Sequence, residues 1–365
     1  MVKRAPAEIL KTLEQAGYES YYVGGCVRDT LLGRPIHDWD ITTAARPEAV
    51  MALFPHCVPT GIAHGTVTVL LEDTEAEVTT FRADGPYLDG RHPEGVTFVS
   101  TLEADLARRD FTVNAMAMDL RGALADPFGG QADLKGRILR AVGEPEQRFR
   151  EDALRMLRAL RFAAQLDFSL EAGTDAAIRR CHALTAALSA ERVRDEVEKT
   201  LLSPRPGRVG EMAALGLLAA FGFPEGRDTG WLSRLPAEAP VRWAGLCRTY
   251  PELDLAALRL PRRLSQDAMA AAQLSWPQDR LGRKQLLSAH GETRGRIAAA
   301  LAGEAESAEE ILASGECLYL RDLAVSGADF PQLRGPEVGR HLQALLAHVL
   351  AHPGDNRREV LLRLA

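Results

Sequence analysis

The feature that most constrains this chain is a change in apolar periodicity near residue 140. Before it, short β-rich runs dominate: "YYVGG", "WDITT", "HGTVTVLL", "AEVTTF", "VTFVS" and "FTVNAMAMDL", set apart by turn residues and by helical pieces such as "RPEAVMALF". Runs of this kind form short strands. After it, "EDALRMLRALRFAAQL", "SAERVRDEVEKTLL", "GRVGEMAALGLLAAF" and "GRHLQALLAHVLAH" repeat apolar residues at helical spacing, interrupted by Pro and Gly. The pattern predicts a small α+β domain followed by an all-helical remainder, with "FGFPEGRDTGW" as a loop between helical subdomains. At 365 residues and 46% hydrophobic content the chain exceeds what one core holds and can fill several.

No apolar run is long enough to span a bilayer, and the start "MVKRAPAEIL" lacks the apolar core of a secretory signal, so a cytoplasmic protein is expected. The five cysteines (Cys26, Cys57, Cys181, Cys247, Cys317) are scattered and never spaced C-x-x-C, which favours reduced buried thiols over a zinc or disulfide framework. A net charge of −6 argues on its face against a nucleic-acid partner. Distribution matters more than the sum, however: residues 135 to 161 hold eight basic residues against four acidic ones.

Residues 24 to 44, "GGCVRDTLLGRPIHDWDITTA", hold the first candidate chemistry. Gly24-Gly25 after a strand lets backbone approach a ligand, and a helix starting near Val27 would aim N–H groups at an anion, with Arg28 beside it. On a strand Asp38 and Asp40 project from one side. Two such carboxylates repel unless a proton or cation lies between them, and their hard oxygens suit Mg²⁺. An exposed turn with solvated charges is the plainer alternative. Glu77 points with Thr79 from one face of a nearby strand, in either a metal-supporting role or a solvated edge. His64 and His37 read as packed or hydrogen-bonded loop histidines rather than general bases.

The stretches "YYVGGCVRDTLLGRPIHDWDITTA", "RRDFTVNAMAMD", "DPFGG" and "RFREDALRMLRALRF" resemble successive motifs of bacterial class II tRNA nucleotidyltransferases, the CCA-adding enzymes and their poly(A) polymerase relatives. They cover residues 20 to 165 almost continuously, and weaker similarity continues through "SAERVRDEVEKTLL" to "DLAVSGADF" and Gly335. The resemblance implies a polymerase-β-like nucleotidyltransferase palm, or head, over residues 1–140. An all-helical neck with a nucleotide-selecting helix (141–202), a body (203–265) and a tRNA-binding tail (266–365) then follow. It implies template-independent addition of CCA to the tRNA 3′ end from CTP and ATP, with tRNA as partner, Mg²⁺ as cofactor, and no protein partner or membrane required. By the same resemblance Asp38 and Asp40 are catalytic and hold the metals, while Gly25, Arg28 and Arg109 bind the incoming nucleotide.

The resemblance also gives meaning to "REDALRMLRALRF". On one helix Asp152, Arg155, Arg158 and Arg161 form a row at three-residue spacing, offering an acceptor, a donor and phosphate-binding charge in order. The carboxylate suits the exocyclic amine of C or A and the guanidinium an acceptor on the same edge; G and U offer the wrong pattern. The plainer alternative is an intrahelical Asp152–Arg155 ion pair on a solvated face. The segment "RADGPYLDGRHPEGVTF" reads as a mobile loop whose Asp89, Arg91 and Pro93 match the loop that switches CCA-adding and A-adding members from C to A, whereas His92 stands where many have a second Arg. An A-adding enzyme acting on tRNA ending in CC, a poly(A) polymerase and, from a different class, a non-catalytic RNA-binding protein therefore stay open. The intact Asp-x-Asp argues against the last.

Overall fold

The computed structural model describes residues 4–71, 74–84 and 96–364. Helix α1 (Arg4–Gln15) buries Ile9, Leu10 and Leu13 fully, an i, i+1, i+4 stripe that packs on a seven-stranded sheet. Strand β1 (Ser20–Val23) runs directly into α2 (Gly25–Leu31), so the helix begins two residues before the expected Val27. Strand β2 (Trp39–Thr43) and helix α3 (Pro47–Leu53) follow; Pro47 sits in the first turn, where its missing N–H costs nothing. Strands β3 (Cys57–Gly61), β4 (Thr66–Leu71) and β5 (Thr74–Thr80) build outward, while β6 (Arg82–Asp84) and β7 (Val96–Phe98) pair with each other outside the main sheet. Helix α4 (Leu102–Ala107) and strands β8 (Ala117–Met118) and β9 (Leu124–Ala125) complete the α+β part.

The sheet order is β3-β4-β5-β2-β1-β8-β9, and only β2 with β5 is parallel within it. That pairing sets Asp40 beside Glu77. Strand alternation gives one face of β2 to Ile41 and Thr43, both buried, and the other to Asp40 and Thr42. The run "FTVNAMAMDL", expected as a strand, yields only Ala117–Met118. Thr112–Asn114 is a 3-10 turn, beside which the Asp110 carboxylate takes the Phe111 N–H from any ladder and accepts the Asn114 side-chain amide.

Next come α5 (Gly130–Gly136), β10 (Ile138–Leu139), α6 (Pro145–Glu151), α7 (Leu154–Leu166), β11 (Ser169–Leu170), α8 (Ala172–Cys181), α9 (Ala190–Leu201) and α10 (Arg208–Ala214). The parallel pair β10–β11 is a small departure from an all-helical remainder. A larger one is the break in the stretch expected as one helix: α6 stops at Glu151, Asp152 is extended (φ −144°, ψ 107°) and α7 starts at Leu154. Asp152 causes the restart. Its Oδ1 accepts the Leu154 N–H at 3.0 Å, satisfying a donor that a helix start would otherwise leave unpaired.

The chain divides into two compact units, Met1–Gly226 and Arg227–Ala365. The division falls inside the expected loop, between the 3-10 turns Ala219–Phe221 and Gly230–Arg234. Boundaries at 140 and 202 lie within the first unit and that at 265 within the second. The second unit holds α11 (Ala239–Thr249), α12 (Arg262–Ala272), α13 (Arg280–His290), α14 (Glu292–Leu301), α15 (Ala305–Ala313), α16 (Pro336–Ala351) and α17 (Arg358–Leu361). Trp276, Leu287, Ile311, Phe330, Val349 and Leu361 are central to one of its cores. Among the described residues no helix is long and apolar enough to cross a membrane. The five cysteines are free thiols; four are buried, and Cys57 is half-buried on β3.

Candidate active site

Asp40 lies on β2, Glu77 is its register neighbour on β5, and Asp38 stands one residue before β2 begins. Trp39 between the two aspartates is buried and meets the Tyr22 ring at 5.2 Å, so alternation turns the carboxylates the other way. Asp38 and Glu77 are exposed, whereas Asp40 is half-buried. Burial pushes the Asp40 carboxyl up to about 6; Arg109 opposes the rise, and Glu77 and Asp38 add to it by repulsion. This is a donor set of hard oxygens whose mutual repulsion a divalent cation would relieve, so the residues present fit such an ion.

Gly24 faces the same place. Its φ of 76° is a conformation that residues with a Cβ rarely adopt, and an added Cβ would lie 2.9 Å from Arg109 Nη1 and 3.5 Å from Asp40 Oδ2. Gly24, rather than Gly25, is thus the strained glycine at the turn; Gly25 is the first residue of α2. Arg109 is held from behind by Asp105, a fully buried acid at 3.4 Å that also takes Arg108 at 3.0 and 2.9 Å, the Thr42 hydroxyl at 3.1 Å and the Arg82 N–H at 3.3 Å. Burial alone would raise the Asp105 carboxyl, but Arg108 and Arg109 outweigh it and hold the group below the usual range. Among the described residues, Arg109 Nε is buried without a hydrogen-bond partner.

The expected four-residue row is not one row. Asp152 sits at the break, where its Oδ2 accepts from Arg192 Nη2 on α9 at 2.7 Å, so it is neither in helical register with Arg155 nor its simple ion-pair partner. Arg155 donates to Glu151 at 2.6 Å and to the carbonyls of Arg148 and Arg108 at 3.3 and 3.1 Å. Arg158 is bonded to Asp110, and Arg161 forms a buried pair with Glu196 on α9 at 2.5 Å. Arg28 spends Nε and Nη2 on Asp29 and Nη1 on Asn114 at 2.8 Å, and Asn114 donates in turn to Asp110 at 3.2 Å. Phe162 lies among these cations, its ring centroid 5.3 Å from the guanidinium carbons of Arg28 and Arg158 and 3.8 Å from that of Arg161.

The basic excess counted over residues 135 to 161 also looks different in space. Arg137, Arg140, Arg148, Arg150, Arg155, Arg158 and Arg161 each have a carboxylate partner. Several partners (Asp167, Asp133, Asp110, Glu196) lie outside the window or before it. The stretch is therefore an ion-paired framework rather than a bare cationic patch. Asp89 and Arg91, with His92 and Pro93, lie outside the described residues. His37 is exposed, and the His64 carbonyl accepts a hydrogen bond from Arg82. Sequence reasoning missed Arg192, Glu196 and Asp105. Only the packing of α9 on α7 brings the first two to the site; for Asp105, the spacing of three and four residues to Arg108 and Arg109 on one helical turn was a usable signal.

Residues 20–140 match the family described as the poly A polymerase head domain, and residues 167–227 match that described as the probable RNA and SrmB-binding site of polymerase A. Sheet and following helices are those of a nucleotidyltransferase of this class. The chain is 40% identical to a CCA-adding enzyme of Geobacillus kaustophilus, over 96% of this chain and 93% of that one, and 38% identical to one of Lactiplantibacillus plantarum, over 99% and 95%. The crystal structure of the Bacillus stearothermophilus CCA-adding enzyme in complex with CTP is similar with a TM-score of 0.81 and 36% identity, covering 96% of this chain and 94% of that one. The chain belongs to the CCA-adding enzyme family.

Proposed function

We propose that this protein completes the 3′ end of tRNA without a nucleic-acid template, adding C, C and A from CTP and ATP with release of pyrophosphate, and that it works in the cytoplasm. The observation that carries the reading is the acidic group Asp38, Asp40 and Glu77, with Arg109 beside Asp40. Nucleotidyl transfer needs negative charge to hold a hard cation and positive charge to hold a triphosphate in one place. Family membership supports it.

Asp38 and Asp40 would hold Mg²⁺, which when bound supplies polarisation of the attacking 3′-hydroxyl and charge neutralisation at the leaving pyrophosphate. The chain's own residues do the rest. The Cβ-free Gly24 and the start of α2 at Gly25 leave room for the triphosphate, and Arg109 Nε offers it a donor that has no partner among the described residues. Arg28, fixed by Asp29 and Asn114, adds charge from α2. Asp152, held by Arg192, accepts from the exocyclic amine of C or A. Arg155 donates to the same base edge by exchanging one of its carbonyl partners. Arg158 and Arg161, each bound to a carboxylate, keep positive charge behind the nucleotide and hold α7 in place.

The test is incubation with CTP and ATP together, one of them labelled, and tRNA transcripts lacking the last one, two or three nucleotides. All three should end in CCA. Extension of the CC-ending transcript alone makes this an A-adding enzyme, long A tails on unrelated RNA make it a poly(A) polymerase, and no incorporation at all overturns the catalytic reading.

A further inference from the structure

The second unit carries a cluster that nucleotide transfer does not use. His348 lies in the last turn of α16 and His352 is the residue that ends it, and their rings stack with centroids 4.6 Å apart and planes 24° apart. The backbone leaves the helix at His352 (φ −127°, ψ 74°) and turns back through Pro353–Asp355, which brings Asp355 Oδ2 to 2.8 Å from His348 Nε2. One ligand atom from each of the three residues lies within 4.8 Å of the others. His352 is exposed and its two neighbours are half-buried, so ions in solution reach the cluster.

Two imidazoles and one carboxylate form a donor set suited to Zn²⁺ rather than to Mg²⁺. We propose that His348, His352 and Asp355 bind one zinc-type dication at the C-terminal end of α16. Bonds of about 2.1 Å place tetrahedral ligands roughly 3.4 Å apart, so the three groups close on an ion by side-chain rotation, with water in the fourth position. The ion sits where the last helical carbonyls carry partial negative charge. It ties the 353–355 turn to the helix, and beyond that turn lies Leu361, fully buried in the core of the unit. Its effect on the protein is therefore stabilisation that grows with zinc concentration.

Full-length protein stripped of metal by a chelator is titrated with ZnCl₂ in a calorimeter beside His352→Ala and Asp355→Asn. Zinc also meets the acids of the first unit, so the readout is the difference between wild type and variants. Wild type should bind one equivalent that each variant loses or holds at least about tenfold more weakly. Zinc should raise the melting temperature of wild type and leave that of His352→Ala unchanged; melting without metal shows that the variant is folded, as its exposed position implies. Equal zinc stoichiometry and affinity in wild type and His352→Ala would overturn the site. A wild-type-specific response to MgCl₂ as large as that to ZnCl₂ would overturn the assignment to a nitrogen-preferring ion.

Discussion

Arg158 on α7 donates from Nε and Nη2 to Oδ2 of Asp110, at 2.8 and 2.7 Å, so an arginine expected to reach for phosphate is anchored to the segment that follows Arg109. The second oxygen of Asp110 accepts the Phe111 N–H and the Asn114 amide, and Asn114 accepts Arg28. The network joins α2, the 110–114 turn and α7 in one hydrogen-bonded chain.

Stability should carry the signature of this carboxylate. Burial pushes Asp110 up, but Arg158 and then Asn114 outweigh it and hold it at about 2, against 3.8 for a free group. A depressed native value stabilises fully above the unfolded value and fades as pH falls from 3.8 through about 2, an effect on the order of 2 kcal/mol. Denaturation of wild type and Asp110→Asn should show a gap at neutral pH that narrows in acid. A gap that stays constant with pH would contradict the pairing.

Asp38→Ala and Asp40→Ala should each lower nucleotide incorporation by at least roughly 10²–10³-fold, the loss typical when a group that stabilises transition-state charge is removed. Folding and tRNA affinity should survive, and Asp40→Asn should melt slightly higher because a charge that burial disfavours is removed, and with it the repulsion from Glu77 and Asp38. Near wild-type turnover in either alanine variant would remove the pair from the mechanism.

Base choice should depend on Asp152 and on the residue that holds it. Asp152→Ala is expected to narrow the preference for CTP over UTP by about 1–3 kcal/mol. Arg192→Ala should give a smaller loss in the same direction, since the carboxylate remains but is no longer fixed at 2.7 Å. Competition assays with paired nucleotides measure both, and unchanged discrimination in Asp152→Ala would refute the base-reading role.

Glu196→Ala leaves the buried Arg161 guanidinium bonded to Gln165 but without its paired carboxylate, and should cost about 3–5 kcal/mol of stability. Replacing both residues by apolar ones of similar volume should cost much less. Chemical denaturation of the single and double variants separates the two cases.

What could be read from the sequence was whatever the local chain fixes. Gly24 falls in a Gly-Gly turn after a strand and Asp40 alternates with buried Trp39 and Ile41, whereas Gly25 and Arg109 came from the resemblance, and Arg109 is placed by packing against Gly24 and Asp105. The break at Asp152 was not readable. Residues 145 to 166 keep helical periodicity throughout, and the partner that holds the broken geometry, Arg192, comes forty residues later. The basic excess misled for a related reason: a window of charges records the arginines but not Asp110, Asp133, Asp167 or Glu196, which neutralise them from elsewhere in the chain.

Phe162 has a consequence for how such a protein can change over generations. Its ring is shared by Arg28 from one helix and Arg158 and Arg161 from another, so none of the four positions drifts independently. Residues that share a partner show interaction energies of about 0.5–3 kcal/mol, enough to make a substitution at one position harmful or neutral according to what occupies the others. Variation there should enter a lineage in compensated sets, and a swap of Phe162 alone between distant relatives should fail where transfer of the four residues together succeeds.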